Sequence, residues 1–173
     1  MLLFEVLPTT TPASQQLARE LASLLPQLAV IQVTTKHKDM KLFEYKQTEK
    51  YKEVPRSLFN ELAQANNLKH TIETRARVTF PTGPPNAERP TPTLQHLDAG
   101  WIEVPPGYIA LVTLLIPEDC VKTVEIQVRP NLKEGYSATQ QHNVLLFEGV
   151  YFRTEPAGVH YALLPVPTSP LGE

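Results

Sequence analysis

Two contrasting hydrophobic patterns lie side by side between Trp101 and Pro130. Tyr108 to Ile116 is an apolar run, opened by Pro105-Pro106-Gly107 and closed by Pro117. The segment after it alternates, with Val124, Ile126 and Val128 on one face and Thr123, Glu125, Gln127 and Arg129 on the other. The first pattern predicts a strand buried on both faces, the second a strand with one face in a core. Together they predict the middle of a packed β-sandwich.

The flanking patterns extend this reading. Leu2 to Leu7 alternates weakly before Pro8 and predicts an edge or exchanged strand. Thr11 followed by Pro12 predicts a helix start, and Leu17, Leu21, Leu24 and Leu25 recur at helical spacing until Pro26. This helix is expected to plug one end of a barrel. Leu28 to Thr35 reads as a strand from its β-branched content, and Lys36 to Glu53 as a solvated hairpin in which acidic residues nearly cancel the lysines. A second short helix is expected from Pro55, with Leu58, Phe59 and Leu62 on one side and Asn66-Asn67 as its stop.

From His70 to Phe80 the residues alternate again, which predicts a strand with Ile72, Thr74, Ala76, Val78 and Phe80 on one face. Residues 81–92 contain five prolines and predict a long loop or surface arm. Val144 to Arg153 and Val159 to Val166 each read as one further strand, and the tail from Pro167 to Glu173 as an extended arm. The sum is about eight strands, two short helices and no strand–helix–strand alternation, an all-β sandwich or barrel in a single domain spanning residues 1–173.

Composition narrows the function classes. A formal net charge of -2 gives no global field to draw DNA or an acidic membrane, so no specific nucleic-acid partner is expected. The start, Met1 to Pro8, lacks a basic segment and carries Glu5, unlike a signal peptide. No apolar run approaches the ~20 residues of a membrane helix. Seventeen prolines, seven glycines, one cysteine and two methionines suit a hot environment. The single cysteine, Cys120, excludes an internal disulfide framework and reads as a free thiol, with a bridge between two copies as the alternative.

Catalytic and metal-binding patterns are lacking. The histidines at 37, 70, 96, 142 and 160 form no local zinc spacing, and His96-Leu97-Asp98 offers two ligand types where a site requires more. No nucleophile elbow, phosphate-binding loop or dinucleotide fingerprint occurs. Hence no catalytic, cofactor or metal residue is assigned, and no cofactor is expected. For a binding module, Trp101, Tyr108 and Tyr136 are the candidate exposed rings.

Two family resemblances follow from these residues. Asp98-Ala99-Gly100, Val104-Pro105-Pro106-Gly107, Ile116-Pro117 and Val128-Arg129-Pro130 resemble the strand frame of the trimeric dUTP pyrophosphatases. That family's nucleotide-holding positions are here Trp101-Ile102, Arg129-Pro130-Asn131 and a proline-rich tail, so the likeness covers scaffold and not site. In length, all-β layout with short helices and heat-adapted composition, the whole chain resembles the small major capsid proteins of the internal-membrane icosahedral bacteriophages of Thermus. That resemblance implies a single eight-stranded jelly roll and a homodimer. It also implies co-assembly with a larger major capsid protein, in a virion shell over a lipid membrane that the chain touches at most peripherally. Before assembly such a protein resides in the host cytoplasm. Residues 1–8, 81–92 and 167–173 are then expected to be inter-subunit arms, with Leu2, Phe4 and Val6 packing on another copy. A ligand-binding or host-attachment jelly roll and a nucleotide hydrolase are the other two readings.

Overall fold

The computed structural model describes residues 2–79 and 91–170. In chain order the elements are β1 (Phe4–Val6), α1 (Pro12–Leu24), β2 (Val30–Gln32), β3 (Lys41–Tyr45), α2 (Glu53–Ala65), α3 (Leu68–Ala76) and β4 (Val78–Thr79). There follow β5 (Thr93–Ala99), β6 (Ile102–Glu103), β7 (Tyr108–Leu114), β8 (Glu125–Arg129), β9 (Ser137–Thr139), β10 (Asn143–Leu146), β11 (Tyr151–Glu155), β12 (His160–Pro167) and β13 (Ser169–Pro170).

Strands β1-β10-β7-β12-β5-β3-β2 make a 7-stranded antiparallel sheet, and β6-β11-β8-β9 a 4-stranded one. The two pack face to face. Residues of both sheets, among them Val112, Leu114, Val144 and Tyr161 from the larger and Ile126, Val128 and Phe152 from the smaller, form one buried cluster between them. The opposite face of the larger sheet carries a second cluster, in which Leu94, Ile109, Leu111, Leu145 and Ala162 meet Leu21 of α1, Leu58, Phe59 and Leu62 of α2 and Ile72 of α3. Helices, larger sheet and smaller sheet are therefore three layers. The apolar run of β7 has its physical cause here: successive residues point alternately into two different cores, and Leu111 and Val112 are both fully buried.

From β5 to β12 the strands pair as a nested series. β5 pairs with β12, β6 with β11, β7 with β10 and β8 with β9, every pair antiparallel. Cross-links β12–β7 and β11–β8 then join these ribbons into the two sheets. Pro165 and Pro167 are tolerated in the central strand β12 because its pairing with β5 ends at Leu163↔Thr93, so their missing donors face no ladder.

Local chemistry sets the helix ends. The Thr11 hydroxyl accepts from the Ser14 N–H at 3.1 Å and the Ser14 hydroxyl accepts from the Thr11 N–H at 3.0 Å, a reciprocal cap with Pro12 just inside it. Asn66 closes α2 as expected, and its amide also fastens Thr9 by bonds of 2.9 Å to that residue's N–H and carbonyl. Pro55 sits within the first turn of α2 and not at its start, which lies at Glu53.

Several expectations need correction. The all-β estimate of about eight strands and two helices becomes a mostly β chain with three helices and thirteen short strands among the described residues. α1 covers a sheet face and does not plug a barrel end. His70 to Ala76 is helical: Leu68, Ile72 and Ala76, four apart, all face the helix-side core, and only Val78–Thr79 is extended. Arg77, in the left-handed region at φ 53, ends that helix. Val144 to Arg153 is two strands in different sheets, broken at Gly149, whose φ of 76 reverses the chain. Leu28 to Thr35 yields only the exposed edge strand β2, and Lys36 to Glu53 is not a solvated hairpin: it holds the single strand β3, paired between β2 and β5 with Leu42 buried, and then a 3-10 turn at Glu49–Tyr51.

Candidate functional site

On the smaller sheet, Val128 and Phe152 point into the core, so period two turns Arg129, Gln127, Tyr151 and Arg153 outward. Register then sets Arg129 opposite Tyr151 and Gln127 opposite Arg153. Trp101, just before β6, and Tyr136, just before β9, come to the same face with ring centroids 6.2 Å apart. The Arg129 guanidinium carbon lies 3.8 Å from the Trp101 ring centroid and that of Arg153 4.5 Å from it. Arg153 is also 5.9 Å from the Tyr136 ring, which is more than half exposed.

Two like charges thus share one indole. Neither arginine has an ion pair among the described residues. The Arg153 Nε–H donates to Gln127 Oε1 at 2.8 Å, and the Gln127 amide donates to Glu125 at 3.2 Å. The Arg129 Nε–H is buried and has no acceptor. A buried donor left without a partner costs about 1–3 kcal/mol. Nearby, the Tyr151 hydroxyl is pushed above its ordinary pKa by burial and then by the Glu103 carboxylate, with Arg129 opposing. Guanidinium groups hold their charge throughout the accessible pH range, so this face is permanently cationic and offers no proton to move.

A second aromatic cluster lies on the helix-side face of the larger sheet. His96 and His160 are directly opposed on β5 and β12, with rings 5.2 Å apart. Phe43 stacks on His96 at 4.8 Å, and the Tyr45 hydroxyl is 3.2 Å from His160 Nε2. His96 Nδ1 lies 2.9 Å from Asp98 Oδ1, so the His96-Leu97-Asp98 segment does place both groups on one face. Burial, then His96, holds His160 below the usual histidine range, with Asp98 opposing. Among the described residues no three ligand side chains converge to hold a metal ion.

The remaining sequence-level candidates separate. Tyr108, at the start of β7 in the larger sheet, does not join Trp101 and Tyr136. Cys120 is an exposed free thiol in the loop beside Val121. Phe4 and Val6 lie on β1, which pairs with β10 of its own chain and packs on the inter-sheet core, while Leu2 is exposed. Ser169 and Pro170 of the C-terminal segment pair with Thr79 and Val78. Of the loop at 81–92, residues 81–90 lie outside the described residues, as do 171–173 of the tail. No helix among the described residues is long and apolar enough to cross a membrane. Nothing local in the sequence marks Arg129 and Arg153 as a pair. Their convergence depends on the β8–β11 register, which no local pattern carries.

Neither the known family models nor the curated proteins include a match to this chain.

Proposed function

We propose that the chain is a structural subunit of a virus shell, built on an eight-stranded jelly roll formed by β5 to β12. The observation that carries this reading is the nested pairing: first strand with eighth, second with seventh, third with sixth, fourth with fifth. A jelly roll is this ribbon of paired strands wrapped into two four-stranded sheets, an architecture used by capsid and lectin domains. β1 on one edge and the β2–β3 hairpin on the other extend the larger sheet beyond its four jelly-roll strands.

Shell building draws on edges and not on a pocket. Both outer edges of the larger sheet end in three-residue strands, and on β2 the apolar Val30 and Ile31 are 47% and 43% exposed. An unpaired edge of this kind is a template for a neighbouring chain. In this reading Leu2, Phe4 and Val6 exchange onto a second copy to give a homodimer. The dimer then joins a larger major capsid protein in the virion, above an internal membrane and with no specific nucleic-acid contact. The β1–β10 pairing within one chain is the closed form from which such an exchange would start.

Cryo-microscopy of the native source tests the reading directly, the expected result being this chain tiled in an icosahedral shell. Light scattering on a chain lacking residues 1–8 is expected to give monomers where the full chain gives dimers. Turnover of dUTP by the purified chain, or an unchanged dimer after the deletion, would count against it.

A further inference from the structure

From the geometry of Trp101, Arg129, Arg153 and Tyr136 we infer a ligand site on the outer face of the smaller sheet, for a carboxylate carried on a compact ring, that is, a sugar acid. This site stands apart from the shell reading and would survive its failure.

Like charges side by side on a sheet face repel and are ordinarily relieved by a carboxylate. Here the neighbouring carboxylates are otherwise engaged: Glu125 accepts from Gln127, and Glu103 lies against Tyr151. The indole of Trp101 takes the place of an acid by offering its negative face to both cations. Stacking occupies only the flat face of a guanidinium. Its N–H donors lie in the plane and remain available at the edge, in the fork that matches a carboxylate.

Arg129 Nε–H is buried without an acceptor, although its partners across the sheet are fixed by β-ladder register. That atom is closed to an arriving oxyanion, which would instead meet the outer edge of the two guanidinium groups and offset the repulsion between them. Gln127 meanwhile holds Arg153 by its Nε alone, at 2.8 Å, which orients that fork. Tyr136 then decides the ligand's body. Its ring is 55% exposed and stands 5.9 Å from the Arg153 guanidinium carbon, a shelf for the C–H face of a saturated ring whose carboxylate has reached the arginines. A bare anion would leave that shelf unused.

Trp101 is the only tryptophan in the chain, so its emission reports the site alone. The experiment titrates the full chain at constant ionic strength with galacturonate, galactose, inorganic phosphate and N-acetylaspartate. Galacturonate is expected to produce a saturable change, and the other three a much weaker one. Arg129→Lys keeps the charge but loses the fork, and Tyr136→Ala removes an exposed ring at little risk to folding. Each is expected to weaken galacturonate binding about tenfold. Circular dichroism checks that both variants are folded. No saturable response to galacturonate overturns the proposal, as does equal binding of galactose or phosphate. N-acetylaspartate binding as tightly as the sugar acid would reassign the face to an acidic side chain of a partner and overturns it too, as does undiminished binding by folded Tyr136→Ala.

Discussion

The larger sheet buries both its faces, but against different materials. On one side it meets the smaller sheet, in a cluster built from β-branched residues and the T-shaped pair of Phe152 and Tyr161, 6.0 Å apart. On the other it meets α1, α2 and α3 through a cluster dominated by leucines. β7 serves both, its odd-numbered residues facing the helices and its even-numbered ones the smaller sheet. The contrast carries a lesson about layered domains. The shared strand must be apolar throughout, while each outer layer requires only one apolar face, so the middle of the molecule is encoded more densely than its two surfaces.

The largest effects are expected where that shared middle is emptied. Phe152→Ala removes a fully buried ring from the inter-sheet core and should cost about 3–5 kcal/mol. Leu111→Ala, on the helix side, should cost about 2–5 kcal/mol. Denaturant unfolding measures both. The informative comparison follows two probes in Leu111→Ala: the far-ultraviolet helix signal for the helical layer, and Trp101 emission for the face beyond the smaller sheet. Coincident transitions are expected, because β7 couples the layers. Helix loss well ahead of the Trp101 change would mean that the layers unfold separately.

A smaller effect tests how the helical layer is anchored. Thr11→Ala removes the cap of α1 and also the 2.9 Å bond from the Thr11 hydroxyl to Glu61 of α2. The expected cost is about 1–2 kcal/mol, which for a chain of this size lowers the melting temperature by several degrees, about 2–4 °C for each kcal/mol. Thr11→Ser keeps both hydroxyl functions and should melt close to the parent chain. A full loss in Thr11→Ser would assign the effect to the methyl group and not to the cap.

How much of this could be read from residues alone follows from where each signal resides. β7 and β8 were legible because two-sided and one-sided burial leave different patterns within a single strand. α1 was legible because Thr11, Pro12 and Ser14 form its cap locally. α3 is ambiguous in the sequence because Ile72, Thr74, Ala76 and Val78 satisfy a period of two while Leu68, Ile72 and Ala76 satisfy a helical one; packing against α2 chooses between them. The break between β10 and β11 left only Glu148-Gly149 as a sign inside an apolar run. The arginine–indole face was half legible. Trp101, Tyr108 and Tyr136 are candidate rings in the sequence with nothing to separate them from core or turn packing, and the meeting of Trp101 and Tyr136 with Arg129 and Arg153 is a product of strand register between distant segments, as is the pairing of His96 with His160. Residues close in the chain announce each other; residues joined by a ladder do not.

The two aromatic clusters differ in the same instructive way, and pH separates them. The arginine face keeps its charge at every working pH, whereas the cluster on the larger sheet contains His160, held below its ordinary value of 6.5 by burial and by His96. The groups facing it are His96, the Tyr45 hydroxyl and the Asp98 carboxylate, the last of which pulls the other way. A histidine with a depressed folded-state pKa binds fewer protons folded than unfolded throughout the interval between the two values. Stability therefore rises with pH across that interval: the contribution is fully present above about 6.5 and is lost as pH falls toward and through the folded value. His160 is only half buried, so solvent screens the effect, which is smaller than that of Phe152→Ala, Leu111→Ala or Thr11→Ala. Thermal melts of the parent chain and of His160→Gln, taken from neutral pH down to just above the carboxylate range, measure it. The parent should lose more melting temperature than the variant over that span, and parallel curves would show that His160 carries no pH-linked stability.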